Sequence, residues 1–326
     1  MLKIAIIGGG LTGLTIAKQL ECKAQVTVFE KSRGVSGRMS TRRAEPYWFD
    51  HGAQYFTARH IEFKEFLQPF IQQGVVQPWR AKYALLDRER LISMQDLSAS
   101  EPRYVGVPGM NVIAKMLAES LSVQLNTRII RLERRAKQWT LIDSENQVYG
   151  EFDWVVVATP APQAASLLPS DFKYFDVVSK AKMQACFSLM LGFKHPLNIF
   201  FDAARVHNSD VSWLAVNSSK PGREGLFCVL AHSSQEYAQA HIDSDRQAVQ
   251  EHLCAEVAAI IPQMNDSQAE YQTLHGWRYA HCSRRIQSLA LLDETLQLAA
   301  CGDWCLEGRV EGAFMAALEL VRACRF

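Results

Sequence analysis

The residues whose types and spacing point most clearly to chemistry are three glycines and one acid near the start of the chain. Gly8, Gly10 and Gly13 have the spacing G-x-G-x-x-G, and Glu30 follows them. In this pattern the first glycine makes a tight turn, the second lets backbone approach a pyrophosphate, and the third lets a helix pack closely on a strand. An acid at the position of Glu30 accepts hydrogen bonds from ribose hydroxyls. These four residues predict a site for an adenine dinucleotide.

The elements that must position these residues are two strands and the helix between them. Lys3–Ile7 is a short, branched apolar run, which is typical of a buried parallel strand. Gln25–Phe29 is a second such run and ends directly before Glu30. Between the strands, apolar residues recur at helical spacing at Leu14, Ile16, Ala17 and Leu20. A pyrophosphate is expected at the N-terminus of this helix. The pattern predicts an α/β protein with a Rossmann-like domain.

The composition of the chain argues against several classes of protein. Its 326 residues are 48% apolar and 21% charged, which is ordinary for a globular protein of one or two domains. The net charge of +1 gives no general footprint for nucleic acid. No apolar run approaches the roughly 18 residues of a membrane span, and the chain begins with a predicted strand instead of a secretion signal. We therefore expect a cytoplasmic protein with neither a nucleic-acid nor a membrane partner.

The eight cysteines show neither a metal-binding pattern nor a disulfide framework. None forms C-x-x-C, and none combines with histidine at zinc-finger spacing. Cys186, Cys228 and Cys254 lie in apolar runs, so buried and reduced thiols are expected. No metal is predicted.

The remaining elements follow from periodicity and from turn residues. Before residue 172 the pattern predicts helices at Ile61–Gln73 and Val112–Leu121, the second capped by Asn111, a hairpin at Tyr83–Ile92, and strands at Val123–Leu125, Arg128–Arg134, Gln138–Asp143 and Asp153–Ala158. After residue 172 it predicts strands at Ala185–Phe193, Asn198–Phe201, Ser212–Val216, Leu226–His232 and Leu296–Ala300, one long helix at Ser234–Ile261 broken near Asp243, and a last helix at Gly312–Arg322. The strand-rich stretch between about 172 and 272 is interpreted as a substrate domain.

Several short motifs, in order along the chain, resemble the flavin amine oxidase superfamily. They are Gly8 to Glu30, Arg33-Gly34-Val35-Ser36-Gly37-Arg38, Val155-Val156-Val157-Ala158-Thr159-Pro160, and Gly302-Asp303 with Gly312-Ala313. The superfamily usually has a glycine pair before the arginine, whereas this chain has Ser36-Gly37-Arg38. The resemblance implies FAD as cofactor. It also implies an FAD-binding domain at 1–60, 97–165 and 273–326, with an inserted mixed-sheet substrate domain at 61–96 and 166–272.

The same resemblance assigns residues to the FAD site. They are Gly8, Gly10, Leu11, Thr12, Gly13, Glu30, Lys31, Ser36, Gly37, Arg38, Gln54, Tyr55, Ile129, Ala158, Thr159, Gly302, Asp303, Val310, Glu311 and Gly312. Asp303 is expected to hold the ribityl or phosphate portion of the cofactor. The last helix is expected to direct its N-terminus, at Val310-Glu311-Gly312, toward the flavin ring.

Within the superfamily the chain is most similar to renalase. The similarity rests on Gly37-Arg38-Met39-Ser40-Thr41-Arg42, Asp50-His51-Gly52-Ala53-Gln54-Tyr55-Phe56, Trp213-Leu214-Ala215-Val216-Asn217, Leu230-Ala231-His232-Ser233 and Trp277-Arg278-Tyr279. It implies an oxidase of dihydro isomers of NAD(P)H that are reduced at the wrong ring carbon. In that reaction a hydride passes to flavin N5, NAD(P)+ is released, and O2 is converted to H2O2.

The renalase similarity also implies the residues of the reaction site. Asn217, His232 and Trp277 match residues that line the flavin face, with Trp277 stacking on the nicotinamide and the other two orienting its carboxamide. Tyr55 and Tyr279, together with Gln54, are further lining candidates. No triad or general base is expected, because aromatisation of a dihydropyridine drives the hydride step and the cofactor carries the chemistry.

Other functions remain open at the level of sequence. One is a flavin amine oxidase for primary or secondary amines, with Trp277 and Tyr279 framing the flavin, although Gln184–Phe193 supplies no lysine near N5. Another is a non-oxidase flavoprotein, such as a desaturase or an FAD-binding module without turnover. An NAD-dependent dehydrogenase is disfavoured, because the loop after Glu30 and the Gly302-Asp303 motif have no role there.

Three arginines near the predicted site are ambiguous. Arg42, Arg43 and Arg59 are candidates to meet phosphate groups, and they are equally compatible with a solvated surface. The sequence leaves open whether a substrate 2′-phosphate is recognised.

Overall fold

The protein has the predicted α/β architecture, built around two large sheets. The computed structural model describes residues 1–96, 101–223, 225–264, 267–282, 286, 290–306 and 308–324. One sheet has six strands and the other has seven, and three smaller sheets complete the described part of the chain. Among the described residues, no helix is both long enough and apolar enough to cross a membrane.

The bounds of the helices and strands are as follows. The helices are α1 (Leu11–Leu20), α2 (Ile61–Gln72), α3 (Val112–Ala118), α4 (Ala161–Leu167), α5 (Phe175–Ser179), α6 (Gln235–His241), α7 (Arg246–Ile260) and α8 (Val310–Ala323). The strands are β1 (Lys3–Ile7), β2 (Gln25–Phe29), β3 (Arg42–Ala44), β4 (Tyr47–Phe49), β5 (Val76–Pro78), β6 (Lys82–Asp87), β7 (Arg90–Asp96), β8 (Tyr104–Gly106), β9 (Ser122–Gln124), β10 (Ile129–Arg135), β11 (Gln138–Asp143), β12 (Val148–Phe152), β13 (Trp154–Val157), β14 (Met183–Phe193), β15 (Ala203–His207), β16 (Val211–Val216), β17 (Phe227–Ser233), β18 (Tyr271–Cys282), β19 (Leu291–Asp293) and β20 (Leu298–Ala300).

The six-stranded sheet has the order β19-β20-β13-β1-β2-β9. All of its pairs are parallel except β19 with β20. Four of the five residues of β1 are buried, which explains its continuous apolar run. Ile7 pairs with Phe29, so β1 and β2 end side by side. The glycine turn after β1 and the acid after β2 therefore meet at one edge of the sheet.

Close packing at the first turn depends on two of the glycines. Gly8 has a φ of +116°, a conformation that favours glycine. A Cβ atom on Gly13 would lie 2.0 Å from the carbonyl oxygen of Gly8, so any side chain there would push α1 off the sheet. The Thr12 hydroxyl donates to the Ala313 carbonyl at 3.0 Å, which ties α1 to α8. The first and last helices thus pack together beside the turn.

The seven-stranded sheet has the order β18-β14-β17-β16-β15-β6-β7, and every pair but β15 with β6 is antiparallel. One face packs Phe187 and Leu214 into a core with Leu253 of α7. Side chains alternate between the faces of a sheet, so the neighbouring residues face the other way. On that opposite face, four residues pair in turn across neighbouring strands and form one row, in the order Trp213, His232, Ser188 and His275.

Several predicted elements are confirmed with small shifts at their ends. The β1-α1-β2 unit has the predicted bounds, and β6 and β7 form the predicted hairpin. The long helix is broken where Asp243 was expected to interrupt it. Its two halves, α6 and α7, are capped by side-chain oxygens of Ser234 and Asp245.

Other predicted elements differ from the structure. Asn198–Phe201 is not a strand, because Ala203–His207 takes the place between β16 and β6. Asn111 already has helical angles and makes no side-chain cap. The last helix begins at Val310, two residues before the predicted start. β18 begins at Tyr271 and pairs with β14, so the boundary predicted after residue 272 falls inside a strand of the seven-stranded sheet.

Candidate functional site

A cavity of about 1930 Å³ lies where the two large sheets meet. Its walls come from the ends of β1 and β2, the loop 31–43, strand β18 and the segment 302–313. Ligand clefts commonly enclose about 300–1,000 Å³. The cavity therefore has room for a large cofactor and a second molecule beside it.

The dinucleotide end of the cavity is organised by Glu30. Its Oε2 accepts the backbone N–H of Gly9 at 2.7 Å, and its Oε1 accepts that of Ser32 at 2.8 Å. These two bonds hold a buried carboxylate at the cavity wall, next to the glycine turn. The remaining lone pairs of the carboxylate are available to ribose hydroxyls. Lys31 and Ile129 line the same end.

The middle of the cavity is held by an ion pair between Arg38 and Asp303. The guanidinium donates to both carboxylate oxygens, at 2.9 and 2.5 Å, and to the Ala280 carbonyl at 3.0 Å. Asp303 is buried, and Arg38 is partly exposed toward the cavity. The two residues join the loop after β2, the end of β18 and the segment after β20. Asp303 lines the cavity while its carboxylate binds Arg38, and its predicted contact with the ribityl or phosphate portion of the cofactor stays a prediction.

The residues at this end fit FAD. The hydroxyls of Ser36 and Thr159 are buried at the cavity wall and have no hydrogen-bond partner among the described residues, as expected of groups that bond a ligand. A Cβ on Gly10 would meet nothing within 4 Å, so the backbone there is open to the cavity. Nearly all of the predicted FAD-binding residues line the cavity, namely Gly8, Gly10, Leu11, Thr12, Glu30, Lys31, Ser36, Gly37, Arg38, Tyr55, Ile129, Ala158, Thr159, Gly302, Asp303, Val310 and Glu311.

Helix α8 brings its N-terminus to the cavity wall, through Val310 and Glu311. The Glu311 carboxylate accepts the backbone N–H groups of Arg59 and His60 at 2.7 and 2.6 Å. Gly312 is buried inside the helix and does not line the cavity. The residues on either side of it, Glu311 and Ala313, do line the cavity, and the predicted contact of Gly312 with the cofactor stays a prediction.

The opposite end of the cavity is lined by imidazole and indole rings. Trp277 stacks on His51 with ring centres 5.2 Å apart, and its Nε1 donates to the His51 carbonyl at 2.8 Å. His275 lies edge-on to both rings, at 5.0 and 4.3 Å. The Ser188 hydroxyl also donates to the His51 carbonyl, at 2.6 Å. These contacts form a fixed aromatic wall of the cavity. It contains Trp277 and His232, which were predicted for the reaction site, and His51 and His275 beside them.

The three histidines of this wall are held in the neutral form. Burial lowers the pKa of His51 to about 3, with help from the charges of His275 and Arg42. Burial lowers the pKa of both His232 and His275 to about 4. Three ring nitrogens at this end, Nδ1 of His51, Nε2 of His232 and Nε1 of Trp213, are buried without a partner among the described residues. Their residues line the cavity, so the three nitrogens are candidates to bond a ligand.

Two predicted site residues lie behind the wall and not in the cavity. Asn217 donates to the Trp48 carbonyl at 2.8 Å and accepts the Asp50 N–H at 3.3 Å. The Gln54 amide donates to the carbonyls of Asp50 and Gly52. Both amides thus bond backbone groups in or next to the segment that carries His51 and Tyr55. Neither residue lines the cavity, and the role of Asn217 in orienting a substrate stays a prediction.

Sequence reasoning missed a buried ionic cluster behind the same segment. Asp50 accepts from Lys220 at 3.2 Å, from Arg223 at 2.6 Å and from Thr41 at 2.7 Å, and the three ionic side chains are almost completely buried. It also missed His51 and His275, although both lie within or beside motifs that resemble renalase. His51 lies in the loop after β4, and His275 lies in β18 beside β14. The two rings meet through tertiary contacts, which short motifs do not encode.

Comparisons with known proteins agree with this geometry. Residues 6–70 match a family described as an NAD(P)-binding Rossmann-like domain, and residues 79–324 match one described as flavin containing amine oxidoreductase. A 4,4'-diapophytoene desaturase from Staphylococcus haemolyticus (strain JCSC1435) is 48% identical over 50 residues, which are 15% of this chain and 10% of the desaturase. The chain therefore matches only about a tenth of the length of this relative.

Two solved structures share the whole fold. A putative protoporphyrinogen oxidase from Exiguobacterium sp. 255-15 has a TM-score of 0.80 at 12% identity, and a putrescine oxidase has a TM-score of 0.72 at 11% identity. In each case 99% of this chain and 98% of the other are covered. At such identities the likeness concerns the fold alone. The family match, which spans most of the chain, together with the fitted cavity, leads to one conclusion: the chain belongs to the flavin-containing amine oxidoreductase family, and its cofactor is FAD.

Proposed function

We propose that this protein is an FAD-dependent oxidase of dihydronicotinamide nucleotides reduced at the wrong ring carbon, and that it returns NAD(P)+ and produces H2O2. The observation that carries the proposal is the aromatic wall of His51, His232, His275 and Trp277, a set of neutral rings with unpartnered ring nitrogens. Such a wall suits a flat, neutral ring that bears a carboxamide. It supplies no strong base, and this donor needs none.

The side chains of the wall have separate roles in this proposal. Trp277 is fixed by its bond to the His51 carbonyl, so its indole offers a preformed surface on which a nicotinamide can stack. The unpartnered Nε2 of His232 and Nε1 of Trp213 lie in one row of the sheet, which supports a role for both in bonding the carboxamide. Bound FAD supplies the two-electron chemistry with O2. The chain contributes orientation and the exclusion of water.

The charge of the cavity also favours an anionic donor over an amine. Among the described lining residues, eleven are lysine or arginine and four are aspartate or glutamate. The four acids are all engaged: Glu30 and Glu311 by backbone N–H groups, and Glu101 and Asp303 by arginines. Each of these four carboxylates is thus already bonded by N–H groups of the protein, and none stands as an isolated negative charge beside the cavity. A positive cavity attracts nucleotides and opposes cationic amines.

Oxidation of a primary or secondary amine is the second candidate. The family description and the fold shared with a putrescine oxidase favour it. An amine would have to enter as the free base, since the cavity is positive. This requirement makes the two candidates separable by experiment.

Anaerobic mixing with each class of donor tests the proposal. The 2- and 6-dihydro isomers of NAD(P) should remove the flavin absorbance within seconds, and simple amines should not. Trp277→Ala should raise the donor concentration needed by at least about tenfold while FAD stays bound, because a stacking surface is lost. Phe200→Ala, which removes an exposed ring outside the cavity, is the matched control. Rapid bleaching by an amine, with none by the isomers, would establish the second candidate instead.

A further inference from the structure

A group of unpaired cations lies on the wall of the cavity, away from the dinucleotide end. Arg42 and Arg43 belong to β3, and Lys115 belongs to α3; all three line the cavity. Within the described residues, none of their side chains forms an ion pair with a carboxylate or a hydrogen bond. The other cations of the wall include Arg38, which is paired with Asp303. Arg42, Arg43 and Lys115, here called the basic rim, are thus left without counter-charge.

The basic rim is held in place by the surrounding fold. Thr41, just before β3, donates to the buried Asp50 at 2.7 Å. A Cβ on Gly109 would lie 2.7 Å from the Thr41 hydroxyl, so the turn before α3 packs directly on β3. The guanidinium of Arg43 lies over the Trp48 ring, 4.7 Å from its centre. These contacts bring β3 next to the start of α3, and the three cations line the same cavity, with Arg42 half-buried and Arg43 and Lys115 exposed.

The rim also lies beside the aromatic wall. The charge of Arg42 reaches both His51 and His275 and lowers the pKa of each, after burial. Arg43 similarly lowers the pKa of Lys115, again after burial. Arg43 and Lys115 therefore repel each other, so an anion bound beside them would relieve that repulsion. A ligand whose ring stacks on Trp277 would carry its next groups toward this rim.

We infer that the basic rim is a subsite for a phosphoryl group of the donor nucleotide, one ribose away from the ring that meets the aromatic wall. This inference rests on the proposed function, because it assigns the polar tail of that substrate. Arginine forks and a lysine together offer strong, charge-assisted donors to phosphate oxygens. The rim is distinct from the FAD pyrophosphate site, which lies at the glycine turn and α1.

The sharpest test compares two donors that differ only by a phosphate, the dihydronicotinamide riboside and its mononucleotide. The wild-type protein should use the mononucleotide at least about tenfold more efficiently at low salt, as expected for charge-assisted bonds. Arg42→Gln and Lys115→Gln should each remove about a tenfold advantage for the mononucleotide and leave kcat/KM for the riboside within about twofold. Arg42→Lys should restore part of the loss.

Controls separate a specific subsite from general charge. Lys23→Gln makes the same change in net charge at an exposed residue outside the cavity, and it should leave both donors unaffected. Inorganic phosphate should compete with the mononucleotide and not with the riboside. Equal use of the two donors by the wild-type protein, or equal losses on both donors in the variants, would overturn the inference while the proposed function stands.

A failure of the proposed function can be distinguished from a failure of the phosphate subsite. If neither donor reduces the flavin, calorimetric titration of the FAD-loaded protein with oxidised nicotinamide mononucleotide still decides whether the rim binds phosphate. Binding by the wild-type protein that is lost in Lys115→Gln and kept in Lys23→Gln would support the subsite. Absent binding, or binding that is equal in all three proteins, would overturn it.

Discussion

At the scale of single residues, the glycines of the first turn have separable roles. Gly8 and Gly13 serve the fold, because a side chain at either would collide with backbone: the carbonyl oxygen of Ala158 at 2.6 Å for Gly8, and that of Gly8 at 2.0 Å for Gly13. Gly10 differs, since nothing lies within 4 Å of a Cβ placed there. Of these three glycines, only Gly10 has free space in place of its missing side chain, and that space is available to the cofactor.

Gly10→Val should therefore give a folded protein that has lost FAD. The valine side chain would project into the space where the backbone approaches the pyrophosphate, so we expect affinity for FAD to fall by at least about a hundredfold. The ratio of flavin to protein absorbance after purification measures retention, and circular dichroism checks the fold. Gly13→Ala is the contrasting variant, with loss of folded protein expected. Full retention of FAD in Gly10→Val would contradict the placement of the pyrophosphate.

The sequence predicted the local geometry well where residue type and backbone conformation coincide. The three glycines and Glu30 must have these types, so a pattern identifies them. Asn217 shows the limit. An amide that lines a cavity and an amide that holds a buried loop look alike in a sequence, and only the bond from Asn217 to the Trp48 carbonyl tells them apart. His51 was missed for the converse reason, because its partners come from β14 and β18.

At the scale of elements, the segment after β4 is the part on which the aromatic wall depends. It runs past Asp50, His51 and Gly52 to Tyr55 without regular structure. The Gln54 amide bonds the backbone carbonyls of Asp50 and Gly52, and Lys220 and Arg223 bond the side chains of this segment from behind. A Cβ on Gly52 would lie 1.9 Å from the Arg38 carbonyl oxygen, so the front of the segment packs directly on the loop after β2. The irregular segment is thus bonded on both sides.

The buried ionic cluster behind this segment predicts a rank order for the stabilities of two variants. Asp50 faces two buried cations, so Asp50→Asn should lower the free energy of unfolding by about 3–5 kcal/mol, since it leaves both without a counter-charge. Lys220→Met should cost only about 1 kcal/mol, because it leaves Asp50 and Arg223 as a neutral pair. Urea unfolding of both variants measures the difference. The opposite order would show that Lys220, and not Asp50, holds the cluster together.

Element boundaries were predictable where a local signal marks them. Ser234 and Asp245 cap α6 and α7, and both residue types are strong N-caps. β15 had no such signal. Its residues, Ala203–His207, are less apolar than Asn198–Phe201 beside them, yet they form the strand because they pair with β16 on one side and β6 on the other. The pairing of β15 with β6, which joins residues such as Ala203 and Tyr83, selects this segment as the strand. A local sequence pattern contains no information about a partner so distant in the chain.

At the scale of the whole molecule, the cavity depends on how the two large sheets meet. The sequence placed the FAD motifs in order at both ends and in the middle of the chain, and the fold brings them to one wall. The second wall, with its row of Trp213, His232 and His275, arises from the register of four antiparallel strands, because His232 and His275 both pair with Ser188 of the strand between them. The net charge of +1 gave no hint that the cavity itself is strongly basic.

The neutral histidines make the stability of the whole molecule depend on pH. His51 titrates at about 3, and His232 and His275 at about 4, whereas an unfolded chain binds these protons near pH 6.5. Between about pH 4 and 6.5 the unfolded state therefore holds more protons, so stability is lost as the pH falls through this window. Each histidine contributes a slope of at most about 1.4 kcal/mol per pH unit.

This linkage can be measured as the free energy of unfolding in urea between about pH 4.5 and 6.5. The carboxylate of Asp50, with its lowered pKa, titrates below this window, and Lys220, at about 8, titrates above it, so the histidines dominate the slope. His275→Gln keeps a polar side chain of similar size that does not titrate, and it should flatten the slope by about one proton. His195→Gln, at an exposed position, should leave the slope unchanged. If the wild-type protein and His275→Gln lose stability in parallel, His275 is already charged in the folded state, and the neutral wall proposed for the donor site is excluded.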